Sequence, residues 1–157
     1  LEAARDPVAS SAANGVGGLI AGVASAVKAI KPETKLWGAE PETAAPLARS
    51  FAKGSAQEFP EWKATFVDGA GGKSVFPRMW QRMQPLVDGC IVVSLNEVKQ
   101  AMRLMAEKAR VIAEGAGALS LAAALTGKAG KGPIVAIVSG GNIGLAKFFE
   151  LIDETRP

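Results

Sequence analysis

The order of strand-like and helix-like segments predicts an α/β fold, a mostly parallel open sheet flanked by helices. Three observations carry that reading. Short strand-like segments run straight into glycine turns at 14–18 and 139–142. The opening follows the order strand, turn, helix, turn, strand, which is the unit of a parallel sheet. Finally, 48% of the chain is hydrophobic and 18 residues are glycine, a mixture that lets helices lie close on a sheet.

Taken in order, residues 8–13 are small and weakly apolar and predict a strand feeding the first glycine turn. In the helix that follows, Leu19, Ile20, Val23, Val27 and Ile30 recur at helical spacing. Pro32 ends it, because a proline disfavours helix in the residue before it. Residues 35–39 read as a short buried strand and 44–51 as a short helix. Residues 53–73 are broken by Gly54, Pro60, Gly69, Gly71 and Gly72; a loop of that length inside a compact domain is usually functional or mobile. Phe76, Met79, Trp80 and Met83 predict a helix over 75–87 with an apolar, core-facing side. Residues 90–93 are a strand by composition. Ser94 and Glu97 then have the spacing of a capping box and open a helix running to about Arg110. An alanine-rich helix follows, ending near Gly127. Residues 133–138 read as the clearest buried strand, and a last amphipathic helix spans 145–154.

The composition also excludes whole classes of function. A single domain fits the 157 residues, and the net charge of +3 is spread, with no basic run interleaved with aromatics to suggest nucleic-acid binding. There is no histidine, which removes Ser-His-Asp and Cys-His chemistry and any histidine metal site. A hydrolase built on Ser139 or Ser10 would therefore lack its base. Cys90 is the only cysteine, so internal disulfides are excluded and a reducing compartment is expected. It reads as a small buried hydrophobe rather than a nucleophile. No apolar run reaches the ~18 residues of a membrane span, and the first residues lack the layout of a signal peptide. The expected location is the cytoplasm.

The stretch Asn14-Gly15-Val16-Gly17-Gly18-Leu19 offers two readings. Glycines and a helix start leave N–H donors uncovered at the positive end of a helix dipole, which suits an anion or phosphate. The same residues suit a tight turn packed under a sheet. Its spacing is not that of a dinucleotide fingerprint, and no Gly-Lys-Ser/Thr ending makes it a nucleotide P-loop. Two glycine turns after two strands stand where open α/β sheets place ligands.

Three blocks, GVGGLIAGVASAVKAIKPETKLWGAEPE, VSLNEVKQAMRLMAEKARVIAEGAGALSLAAAL and IVAIVSGGN, together resemble the C-terminal half of a fold-type-II pyridoxal-phosphate enzyme. Within that fold type, the tryptophan-synthase-β type, they are similar to the serine/threonine dehydratase (threonine ammonia-lyase) family. The resemblance covers about residues 8–152 and implies that 1–157 is one partial domain, most of the family's large domain. It places Gly15, Gly17, Gly18 and Leu19 on the loop that cradles the cofactor phosphate. Ser139 falls on the hydroxyl residue beside the pyridine nitrogen, a neutral partner that suits β-elimination. Glu114 falls on a glutamate that faces the cofactor, although a solvated carboxylate at a helix start fits the sequence equally. Asp68-Gly69 resembles a pair on the rim of that pocket. Glu40, with the carbonyl of Ala44, matches a cation site of some relatives. Pro46 replaces a further carboxylate there, so no metal is expected.

The implied activity is dehydration and deamination of L-threonine or L-serine to a 2-oxo acid and ammonia, with a homodimer as the expected assembly. Two departures stand out. Val16 interrupts the family's glycine run, and a β-branched residue disfavours positive φ. The family's Schiff-base lysine sits in a Ser-x-Lys context that this sequence does not contain; Lys28, Lys31 and Lys35 read as solvent-face or turn residues. The chain alone is therefore expected to supply no catalytic residue. A truncated or repurposed domain with a binding or oligomerisation role is the alternative.

Overall fold

The computed structural model describes residues 9–13 and 17–153. Its four strands are β1 (Ala9–Ala13), β2 (Lys35–Pro41), β3 (Gly89–Val93) and β4 (Ile134–Ile137). They form one sheet in the order β3-β2-β1-β4, and every pair is parallel. Registers run Ala9↔Lys35 between β1 and β2, Ala9↔Ile134 between β1 and β4, and Trp37↔Gly89 between β2 and β3.

The helices are α1 (Gly18–Ile30), α2 (Pro46–Lys53), α3 (Pro77–Met83), α4 (Leu95–Leu104), α5 (Gly115–Leu125) and α6 (Leu145–Asp153). They divide between the two faces of the sheet. On one face Ile20, Ala24 and Val27 of α1 meet Leu47 of α2 and Trp80 and Met83 of α3. On the other, Val98 and Met102 of α4 meet Leu119 and Ala122 of α5 and Phe148 and Leu151 of α6. The period-2 alternation of a strand appears in β2, where Leu36 joins the first cluster and Ala39 the second. Each fully buried Leu or Phe in these layers contributes roughly 1.5–3 kcal/mol relative to an exposed one. Among the described residues no helix is long and apolar enough to cross a membrane.

The expected capping box is formed. The Ser94 hydroxyl accepts from Glu97 N at 3.2 Å, and Ser94 N donates to the Glu97 carboxylate at 2.6 Å. The helix from Ser94 ends at Arg110 as expected, widening into a π turn over Met105–Ala109 before Arg110 closes it at φ 59. Three expectations need correction. The helix expected over 75–87 is only α3, because Pro77 fixes its first turn and the chain leaves the helix ahead of Pro85; Phe76 sits before it, exposed. Strand β4 is half-buried along its whole length because it forms a sheet edge. Lys28 is not a solvent-face residue: its ammonium donates to Pro32 O and Thr34 O at 3.0 and 2.9 Å, beside Asp88.

Candidate functional site

The strand order fixes where a ligand can enter. From β1 the chain crosses to β2 and β3 on one side, and only later returns to place β4 on the other side of β1. The turn after β1 leads into α1 on one face of the sheet, and the loop after β4 leads into α6 on the opposite face. Two neighbouring parallel strands whose exits diverge leave a crevice at their C-terminal ends. Gly17 and Gly18 at the start of α1, and the loop after β4, stand at that end of the strands.

Gly15, together with Asn14 and Val16, lies outside the described residues. Gly17 is buried at φ 91, the left-handed region that side-chain residues avoid. A Cβ there would also stand 3.2 Å from Met83 Sδ and 3.3 Å from Met79 Cε. The backbone twist that starts α1 therefore calls for glycine, and the methionines of α3 beneath it would have to shift by a few tenths of an ångström to admit a side chain. Gly18 and Leu19 form the exposed first turn of α1, and a Cβ on Gly18 would meet nothing within 4 Å. Amides of a helix's first turn have no intrahelical acceptor, so they are available to an anion. The groove running on along α1 and α3 encloses about 600 Å³ between Gly18, Gly22, Ser25, Met79 and Leu86.

Across the crevice, Ser139 is exposed in the loop after β4. Next to it, Gly140 O accepts from Glu114 N at 3.2 Å, which ties this loop to the residue preceding α5. Space here is minimal. A Cβ on Gly117 would collide with the Gly140 carbonyl oxygen, and one on Gly140 would collide with the Glu114 carboxylate. On its other side Glu114 meets Gly69, where a Cβ would stand 3.3 Å from Oε1. Glu114 is thus half-buried between two glycines from separate loops, at the start of α5. Its carboxylate accepts no hydrogen bond from the described residues. The family resemblance brought Ser139, Glu114 and Asp68-Gly69 into consideration one at a time. What joins them is the set of close approaches at Gly69, Gly117 and Gly140, for which the small-residue run 115–118 was the only advance signal.

Glu40 is placed differently. It is wholly buried, and its carboxylate accepts from Leu47 N and Ala48 N at 2.9 Å each, capping α2. Ala44, the other residue of the cation-site resemblance, is buried and donates its N–H to Pro41 O at 3.0 Å. Cys90 Sγ donates to Glu40 at 3.3 Å. Burial and the adjacent Glu40 carboxylate push the thiol well above its ordinary pKa, so it stays protonated, as expected of a structural cysteine.

Comparison with known proteins agrees with this geometry. Residues 1–140 match the family described as pyridoxal-phosphate dependent enzyme. A catabolic L-threonine dehydratase of Staphylococcus aureus is 38% identical over 144 residues, which are 88% of this chain and 41% of the relative. The processed threonine deaminase isoform 2 of Solanum lycopersicum superposes with a TM-score of 0.89 at 31% identity, covering 99% of this chain and 46% of that one. Maize serine racemase gives 0.85 at 32%, covering 99% and 51%. The chain thus spans about half the length of the proteins it resembles. The residues around the crevice fit a phosphorylated cofactor: the α1 start is open to an anion, and a hydroxyl and a carboxylate stand on the neighbouring loops.

Proposed function

The chain belongs to the family of pyridoxal-phosphate-dependent enzymes, and from that premise we propose that its crevice between β1 and β4 holds the cofactor of a threonine or serine dehydratase. The reaction would release a 2-oxo acid and ammonia from a small β-hydroxy amino acid. The observation that carries the reading is that α1 and α6, which follow the neighbouring parallel strands β1 and β4, diverge to opposite faces of the sheet.

When bound, pyridoxal phosphate supplies an electron sink for the negative charge that develops at the amino acid's α-carbon. The chain's own residues orient and bound it. The first-turn amides at Gly17, Gly18 and Leu19 would hold the phosphate, with Gly15 on the same loop. The Ser139 hydroxyl would meet the pyridine nitrogen as a neutral partner, leaving it less electron-withdrawing than a carboxylate would and favouring loss of the β-hydroxyl. Glu114 would border the ring from the start of α5. Lys28 and Lys35 are tied to Asp88 at the strands' opposite edge, away from the crevice. The proton transfer at the α-carbon is assigned to none of them.

A second reading, a non-catalytic binding or oligomerisation unit, draws support from α6. Leu145 and Phe149 stand one turn apart and are 60% and 58% exposed, an apolar stripe that a homodimer would cover. A cytoplasmic setting suits either reading. Titrating the chain with pyridoxal phosphate by absorbance and equilibrium dialysis separates them. Saturable binding is expected, and Gly17→Ala, which forces a side chain into positive φ, should abolish it. No binding by the wild-type chain would leave the non-catalytic reading. Formation of 2-oxo acid from L-threonine by the chain alone would show that it carries catalytic residues beyond those assigned here.

A further inference from the structure

Residues 57–75 close on themselves between α2 and α3. At the base, Val75 N donates to Gln57 O at 3.0 Å and Phe59 N to Lys73 O at 2.8 Å, around an antiparallel bridge between Glu58 and Ser74. Lys63 N donates to Thr43 O at 3.0 Å, tying the strap to the exit of β2. At its tip a 3₁₀ turn, Asp68–Ala70, is closed by a 3.4 Å bond from Gly71 N to Asp68 O. This tip carries Gly69 against Ala116 and the Glu114 carboxylate.

Val67 and Ala70 anchor the turn in the core on one side, and behind Gly71 the packing is looser. A cavity of about 80 Å³ lies there, lined by Thr43, Trp62, Thr65, Asp68 and Gly71 among others. The Thr43 hydroxyl is buried without a hydrogen-bond partner. Among the described residues one side-chain hydrogen bond reaches the tip across this gap: the Trp62 indole N–H donates to Gly71 O at 2.8 Å. The ring is itself held by the Lys73 ammonium, 4.4 Å from its centroid.

We propose that Trp62 is a positioning residue for Glu114: its bond to Gly71 O fixes the 68–70 turn, and Gly69 then holds the Glu114 carboxylate against Gly140. This rests on the crevice being the cofactor site, and it adds that the strap sets the ring-side wall while the α1 start sets the phosphate side independently.

The test is Trp62→Phe in the full 157-residue chain, which keeps an aromatic ring under Lys73 and removes the donor. Amide exchange at Gly71 and Glu114 is expected to rise about fivefold to tenfold, the worth of one hydrogen bond. Pyridoxal phosphate should bind several-fold more weakly, while inorganic phosphate, which needs only the α1 start, keeps its affinity. Lys73→Ala, which leaves the indole N–H in place, should move both readouts less. Unchanged exchange at Gly71 and Glu114 would overturn the proposal. So would equal weakening of both ligands, the mark of a general loss of structure. Should the wild-type chain bind neither ligand, the cofactor reading falls, and the exchange measurement alone still decides whether Trp62 holds the turn.

Discussion

Glu40 and Glu114 both sit where a helix begins, yet their surroundings are opposite. Glu40 is buried at the end of β2, where two amides of α2 and the Cys90 thiol donate to its carboxylate. Glu114 precedes α5 with no side-chain bond to the helix it starts, and its carboxylate rests between Gly69 and Gly140. The first carboxylate is consumed by the fold. The second is placed and enclosed by it, but its oxygens are left available. A buried, fully hydrogen-bonded carboxylate is costly to disturb and offers little to a ligand. One enclosed by glycines but without hydrogen-bond donors is the kind of group a site can use.

Removing each carboxylate should break the comparison most sharply. Glu40→Ala strands one buried and one part-buried amide at the start of α2 and should cost about 2–3 kcal/mol, since each orphaned buried donor carries a penalty of roughly 1–3 kcal/mol. Glu114→Ala leaves no described donor unsatisfied and should cost less than about 1 kcal/mol while weakening pyridoxal phosphate binding. Denaturant unfolding with a parallel binding titration reads both. Equal destabilisation by the two substitutions would erase the distinction.

The glycines around Glu114 come next in size. Gly117→Ala drives a methyl into the backbone of Gly140, and overpacking against a rigid backbone typically costs about 1–3 kcal/mol. Gly140→Ala meets the Glu114 side chain instead, which can turn aside. Its cost should be smaller and should largely vanish in the Gly140→Ala/Glu114→Ala pair. Such a double-mutant cycle measures the contact directly. Additive costs would mean that Gly140 is required for its backbone alone and that Glu114 is not held there.

These contacts also mark how far the sequence could be read. Strand and helix identities followed from periodicity, and the Ser94–Glu97 box from local spacing, because each depends on neighbours a few residues away. The order β3-β2-β1-β4 could not be read from single segments, since it depends on where the chain returns after α5. The roles of Glu40 and Trp62 were hidden for a related reason. Their partners, Leu47, Ala48 and Cys90 for the first and Gly71 for the second, are set by packing and follow no sequence period. Resemblance to some relatives made Glu40 a match to a cation ligand, and its two amide partners show that it caps a helix.

A third carboxylate extends the comparison to the opposite edge of the sheet, where the smallest effect is expected. Asp88 accepts from Leu36 N at 2.9 Å and Lys35 Nζ at 2.8 Å, with Lys28 Nζ at 3.6 Å. Partial burial pushes its carboxyl up, but Lys35, the Leu36 amide and Lys28 together outweigh that and hold it below its usual value of 3.8. The folded chain therefore binds this proton more weakly than the unfolded chain does. The stability gained is present above the unfolded value and is lost as pH falls through the lower, folded one. Asp88→Asn should accordingly be less stable than wild type at neutral pH, and the gap should close in acid, below about pH 4. Because Lys35 is largely exposed, screening limits its pair with Asp88 to at most about 1 kcal/mol. Urea unfolding of both proteins between neutral pH and pH 3 would show the convergence. If the gap stayed constant across that range, Asp88 would matter for its shape and amide contact rather than its charge, which would place it with Glu40.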